Sequence, residues 1–230
     1  MFAGFLTAVI YSLVQAVTVT PLIFEAEFYE AQATSQGQES SGSRIVLDEA
    51  PAGAARWEPQ DGIERYGFTF LANVVAAIGF ALVLVAAIMV RGRHIDARSG
   101  LLWGLSGFLI FALMPALGLP PEVPGGTAAP LEARQIWYAA TVVATAAGLG
   151  GLVFAKPVWI KVVALVILLA PHLIGAPLPD LGEGVGPVPQ ELAARYVVWS
   201  LATTLFFWAI LGTLCGYFFR RFVPDRLAQT

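Results

Sequence analysis

Charged side chains are scarce in this sequence. Asp, Glu, Lys and Arg make up 13% of the 230 residues, whereas hydrophobic residues make up 57%. Water-soluble domains carry about 25% charged residues, and a soluble chain of this length has too little interior to bury so much apolar surface. The mean hydropathy of +0.73 is that of a chain surrounded by lipid, where apolar surface is stable. The composition therefore indicates an integral membrane protein, with residues 1–230 forming a single transmembrane domain.

Cysteine and histidine are nearly absent, and no nucleotide-binding or hydrolytic motif is present. Cys215 is the single cysteine, which excludes a disulfide within the chain and a thiolate metal cluster built from this chain alone. The sequence has no G-x-x-x-x-G-K-[ST], H-E-x-x-H or G-x-S-x-G pattern. A net charge of -3 argues against a nucleic-acid partner. We therefore expect no enzymatic activity, no ATP hydrolysis and no required cofactor.

Six apolar segments have the length, about 17–25 residues, that crosses a bilayer as a helix. They cover residues 2–24, 67–90, 100–119, 136–155, 158–175 and 196–219. Lys156 and Pro157 alone separate the fourth and fifth segments, and because proline cannot continue a helix, they predict a tight turn. The predicted fold class is all-α, a polytopic transmembrane helical bundle of about six spans.

The longest polar stretch, residues 25–66, lies between the first two spans. Its middle, residues 32–43, is rich in Gln, Ser and Gly and has the composition of a flexible loop. Residues 44–47 are compatible with a short strand. We expect this stretch to be one loop on one side of the membrane.

The distribution of basic residues predicts the orientation. Eight of the 13 cationic residues, but only two of the 16 acidic ones, lie in residues 91–99, 156–161 and 220–230. By the positive-inside rule these segments are cytoplasmic. Both termini are then cytoplasmic, the loop over residues 25–66 is extracytoplasmic, and the location is a bacterial inner membrane.

Candidate metal ligands lie at the predicted outer face. Glu27 and Glu30 are three residues apart and share a helix face, whereas Glu25 is rotated away and is a possible supporting residue. Two carboxylates on one face can bind a divalent cation, although a solvated acidic helix end has the same pattern. His172, near the outer end of the fifth span, is either a third ligand or a neutral histidine bonded to a backbone carbonyl.

Further polar residues precede the spans that run inward from the same face. They include Glu132, Arg134, Gln135 and Glu191, with Arg65 before the second span. They are either interfacial anchors or groups that hold the carboxylates of a site in place.

The middle of the spans is almost free of charge, and Gln15 and Asn73 are its most polar residues. A cation pathway through this chain would therefore need to be lined by hydroxyl and carbonyl groups, or by a partner. The candidate hydroxyls are those of Thr18, Thr20, Thr141, Thr145, Thr203 and Thr204.

Small residues mark the predicted helix contacts. Gly100 and Gly104 form a G-x-x-x-G motif, as do Gly212 and Gly216, and residues 146–151 are all small except for one leucine. Small residues allow close backbone approach, which supplies much of the packing between helices in lipid. We expect the third, fourth and sixth spans to be tightly packed.

Several stretches have a recognisable pattern in combination, namely residues 21–30, 100–108, 115–122, 131–137, 171–177 and 191–195, followed by Phe207 and Trp208. Together they resemble the CbtA family, the proposed cobalt-transporter subunit of bacteria. The resemblance implies a membrane protein with Co²⁺ as the transported ion and a link to cobalamin biosynthesis. It also implies a small one-span partner with a His-rich segment, CbtB. The family is usually described with about five spans, and the long polar segment after Glu30 departs from its pattern.

Two functions are consistent with these features. The first is a subunit of a metal-uptake system, for cobalt, that captures the ion at its acidic outer face through Glu27, Glu30 and His172. The second is a non-transporting scaffold that docks a larger membrane complex through its G-x-x-x-G faces and residues 25–66.

The predicted orientation is testable by cysteine labelling in sealed cells, in a background where Cys215 is replaced by alanine. A membrane-impermeant thiol reagent added outside should label a Ser40→Cys variant and miss a Ser99→Cys variant, because position 99 lies in a predicted cytoplasmic loop. Outside labelling of the Ser99→Cys variant would reverse the orientation.

Overall fold

The computed structural model describes residues 1–40, 59–91, 95–179 and 186–222, and all of the regular structure in these ranges is helical. A single turn of π-helix, Leu109–Leu113, joins the α-helix Ala97–Phe108 to the short α-helix Met114–Ala116. The α-helices are α1 (Phe2–Ser40), α2 (Ile63–Arg91), α3 (Ala97–Phe108), α4 (Met114–Ala116), α5 (Leu131–Phe154), α6 (Val158–Ile174) and α7 (Gln190–Phe222).

Five of the described helical segments are long and apolar enough to cross a membrane. They are Phe2–Ser35, Ile63–Arg91, Ala97–Ala116, Leu131–Phe154 and Gln190–Phe222. Helix α6 is also apolar but has only 17 residues. At 1.5 Å per residue it is about 25 Å long, slightly less than the hydrocarbon core of about 30 Å. The predicted all-α bundle of about six spans is confirmed.

Helix α1 is longer than the sequence indicated. It continues through Pro21 and ends at Ser40, so the prediction of a loop is wrong for residues 32–40. The run after Pro21 is rich in Glu, Gln and Ala, which are good helix formers, and the Thr34 hydroxyl bonds back to the Glu30 carbonyl at 3.0 Å. The strand considered at residues 44–47 lies outside the described residues. The predicted turn at Lys156-Pro157 is confirmed.

The two G-x-x-x-G motifs pack against each other. A Cβ atom added to Gly212 would lie 2.5 Å from the Gly104 Cα, and one added to Gly216 would lie 2.9 Å from the Gly100 Cα. No side chain fits between helices this close, so α3 and α7 meet backbone to backbone. The expected tight packing of the third and sixth spans is confirmed.

The small residues of the fourth span, which is α5, lie at a different contact, the one between α5 and α6. A Cβ atom on Gly148 would lie 2.7 Å from the Ala164 carbonyl oxygen. Trp137 Nε1 donates a hydrogen bond to the Pro171 carbonyl at 3.3 Å. Helices α5 and α6 therefore form a close hairpin, whereas α1 packs on α2 and α7.

An apolar cluster lies near each end of the bundle. At one end Leu22 and Ala26 of α1 pack with Val123, Val188 and Leu192. This cluster brings together the end of α1, the segment before α5 and the beginning of α7, which the sequence predicts to share the outer face. The opposite cluster consists of Ile88, Ile95 and Phe219.

A capping box begins α3 at that opposite end. The Asp96 carboxylate accepts bonds from the Ser99 backbone N–H at 2.8 Å and from its hydroxyl at 2.7 Å. These bonds, the backbone one foremost, lower the pKa of Asp96. The cap therefore contributes stability above the ordinary aspartate pKa and loses it as the pH falls through the lowered value.

The glycine contact predicts unequal effects of the same substitution at two positions. Gly216→Leu should lower the thermal unfolding midpoint in detergent and the yield of monodisperse protein, because its side chain must force α3 and α7 apart. Gly79→Leu is the matched control, since a Cβ atom there meets no atom within 4 Å. Equal behaviour of the two variants would contradict a backbone contact at Gly216.

Candidate cation-capture site

Glu27 is held by an arginine from the neighbouring helix. Arg65, in the first turn of α2, binds the Glu27 carboxylate with both terminal nitrogens. Its Nη1 lies 2.9 Å from Oε2, and its Nη2 makes the closer contact with Oε1. The side chains of Arg65 and Glu27 are 29% and 34% exposed, respectively. The pair is therefore accessible from the aqueous side while it joins α1 to α2.

Arg65 has two further partners. Its Nη1 lies 3.1 Å from Asp61 Oδ1, and its guanidinium carbon lies 4.9 Å from the centre of the Phe24 ring. One cation thus faces two carboxylates, which leaves the group with a net negative charge. Arg65 would still have Asp61 as a partner if Glu27 bound another cation.

Glu30 lies one helical turn beyond Glu27, against the segment that precedes α5. A Cβ atom at Gly125 would lie 3.2 Å from the Glu30 Cβ. Gly125 has φ of +73°, a conformation that glycine adopts without strain. Glu30 is exposed, and so is Glu25.

A second ion pair lies nearby, between Arg134 and Glu122. Arg134 Nη2 is 2.7 Å from Glu122 Oε2. Both line a cavity of about 610 Å³, together with the predicted supporting residue Gln135. The sequence did not indicate Glu122 as a functional residue, since its partner is twelve residues away across a Pro- and Gly-rich segment.

The π-helical turn forms part of the wall of this cavity. Phe111 lies in that turn, and its backbone carbonyl accepts a hydrogen bond from the Tyr138 hydroxyl at 2.9 Å. The Phe111 ring stacks on Trp208 with centroids 5.5 Å apart. Single π-helical turns often occur at functional sites. Here the bond at the Phe111 carbonyl joins the π-helical turn to α5.

The other predicted supporting residues lie at helix beginnings. Glu132 and Glu191 are in the first turns of α5 and α7, and both are exposed. Their negative charge is favourable at a helix N-terminus.

His172 lies in the last turn of α6 and faces α5. Its ring centroid is 5.8 Å from that of Trp137, in an edge-to-face arrangement. Its Nε2 atom is buried and has no hydrogen-bond partner among the described residues.

The three residues first considered as metal ligands do not form a preassembled site. In the part of the chain that the structure describes, no group of three or more His, Cys, Asp or Glu side chains could hold a metal ion. The reason is the packing of the helices: His172 belongs to the α5–α6 hairpin, whereas Glu27 and Glu30 belong to α1. Carboxylates on α1, one of them paired with an arginine, remain as the candidate capture site.

The Glu27–Arg65 pair predicts a modest, salt-sensitive coupling energy. A double-mutant cycle of Glu27→Gln and Arg65→Gln, measured by titration with a denaturing detergent, should give about 0.5–1 kcal/mol, because both side chains are partly solvated. The same cycle with Glu25→Gln is the control and should give a value near zero. A coupling energy near zero for Glu27 would contradict the pairing.

Comparison with protein-family models finds one that matches residues 1–220, described as "Probable cobalt transporter subunit (CbtA)". No curated protein matches the chain, and no solved structure does.

Proposed function

The chain belongs to the CbtA family, and on that premise we propose that it is the membrane subunit through which Co²⁺ enters the cell. The observation that carries the proposal is the partly exposed, net-negative group around Glu27 at one end of the bundle. It supplies what a cationic cargo requires at the start of its path, namely negative charge within reach of water.

The acidic end faces outward in this proposal. The opposite end of the bundle is rich in basic residues. Those that the structure describes there are Arg91, Arg98, Lys156, Lys161, Arg220 and Arg221. By the positive-inside rule that end is cytoplasmic. An inside-negative potential then favours inward movement of a divalent ion by about 4.6 kcal/mol per 100 mV, so the driving force needs no nucleotide site.

Capture is an exchange of cations at Glu27. An arriving divalent ion competes with the guanidinium of Arg65 for the carboxylate, and Arg65 keeps its bond to Asp61. Glu30, one turn further out, raises the local concentration of cations. Carboxylate oxygens do not discriminate strongly among first-row divalent ions, so the choice of cobalt rests on the family.

The scaffold alternative loses one of its arguments in this fold. The G-x-x-x-G faces on which it relied are occupied by each other within the chain, so they are not available to an external complex.

The description of the family as a subunit implies at least one further chain. We propose a small, one-span, His-rich partner of the CbtB type, in line with the family resemblance. Such a partner would supply nitrogen ligands, of which this chain has few, with two histidines in 230 residues.

Substitution of the capture carboxylates tests the proposal in cells that express the chain with its partner. Glu27→Gln keeps the size of the side chain and removes its charge, so the cobalt concentration for half-maximal uptake should rise about tenfold, equivalent to about 1.4 kcal/mol. Glu30→Gln should raise it less, because Glu30 is further out. The amount of each variant in the membrane is measured in parallel.

Two control variants make the result specific. Glu25→Gln removes the same charge from the same helix on another face and should leave uptake unchanged. His172→Ala should also leave half-saturation unchanged, because His172 belongs to the α5–α6 hairpin. Normal uptake by Glu27→Gln at wild-type abundance would refute capture at this residue, and absence of cobalt uptake by the wild type would refute the transport function.

A further inference from the structure

A crevice whose lining combines apolar and uncharged polar side chains lies between α1 and α2, deeper in the membrane than the Glu27–Arg65 pair. Its volume is about 250 Å³. We call it the α1–α2 crevice, and its lining is Val9, Ser12, Leu13, Gln15, Ala16, Thr20, Tyr66, Thr69 and Phe70.

The polar members of this lining continue inward from the capture site. On α2, Tyr66 follows Arg65 directly, and Thr69 comes one turn later. On α1, which runs in the opposite direction, Thr20 lies nearer to Glu27 than Gln15 does. The two helices thus present hydroxyl and amide groups to each other along one line.

Asn73 of α2 binds two side chains that line the α1–α2 crevice. Its Nδ2 donates to Ser12 Oγ at 2.9 Å and to Gln15 Oε1 at 2.8 Å. Asn73 is about 9 Å along the helix axis from residue 67, where the second apolar segment begins, which is about a third of the thickness of the hydrocarbon core. These bonds hold two side-chain oxygens in place within the membrane.

Polar side chains within a bilayer are costly and usually serve a function, and tight packing would leave no space beside them. A water molecule takes up about 30 Å³ in the liquid, so the α1–α2 crevice has room for an ion with several of its waters.

We propose that the α1–α2 crevice is a binding site for a partly hydrated divalent cation on its way inward from Glu27. This inference rests on the proposed function and extends it from capture to passage. Neutral oxygen ligands suit passage, because they replace waters of hydration without holding the ion as firmly as carboxylates do.

Water access to the α1–α2 crevice can be measured without any transport assay. In the Cys215→Ala background, a membrane-impermeant thiol reagent added outside should modify Thr20→Cys and Thr69→Cys variants about tenfold faster than a Thr18→Cys variant. Thr18 is the matched control, because it lies at nearly the same depth on α1, outside the lining, and its hydroxyl bonds to the Val14 carbonyl at 2.7 Å. Equal rates at positions 18, 20 and 69 would overturn the proposal.

Measurement of cobalt uptake then tests whether a divalent cation passes through the α1–α2 crevice. Thr69→Val preserves shape and removes one hydroxyl, and it should lower the maximal rate several-fold while half-saturation stays near the wild-type value. Asn73→Leu should lower the rate further, and Thr18→Val should have no effect. Unchanged maximal rates in both crevice variants would exclude the α1–α2 crevice from the path.

The two assays separate this inference from the proposed function. If the wild type takes up cobalt but positions 20 and 69 are inaccessible, the α1–α2 crevice fails and the transport function stands. If positions 20 and 69 are accessible but the wild type takes up no cobalt, the proposed transport function is wrong. The proposal that a divalent cation occupies the α1–α2 crevice is then wrong as well.

Discussion

The backbone contact between α3 and α7 is the constraint on which the rest of the bundle depends. Helices in lipid gain little from burying apolar surface against each other, so close approach at glycine is a main source of their affinity. The contact at Gly104 and Gly212 fixes α7, α1 packs on α7, and α2 packs chiefly on α1. The position of Glu27 relative to Arg65 is therefore set by a contact that contains neither residue.

Charge is arranged by depth along the proposed path. At the acidic end of the bundle, Arg65 and Arg134 are each paired with a carboxylate, and further carboxylates such as Glu30 remain exposed. Deeper in the membrane, neutral groups such as Asn73 and Gln15 take over. A full charge at mid-depth would be costly in the empty protein and would hold a divalent ion too firmly for release. Strong attraction for cations at the acidic end and weaker ligands deeper in the membrane suit the proposed capture followed by passage.

Much of the fold follows from local sequence features. Six long apolar segments, a proline turn at residue 157 and two G-x-x-x-G motifs predicted the helices and the tight contact of the third and sixth spans. The continuation of α1 to Ser40 was missed, because Gln, Ser and Gly also have the composition of a loop. The partner of the fourth span was not predicted either, since small residues indicate that a helix is approached but not by which neighbour.

The sequence by itself determined the class of the protein and which of its ends is acidic, because hydropathy and charge are properties of segments and need no partner. Only the tertiary structure decided that Arg65 binds Glu27, that His172 faces Trp137 and that Asn73 meets Ser12 and Gln15. Each of these contacts joins residues that lie far apart in the chain, and its geometry depends on how the helices rotate about their axes as they pack. That rotation is set by the shapes of all the contacting side chains together, which no single segment encodes.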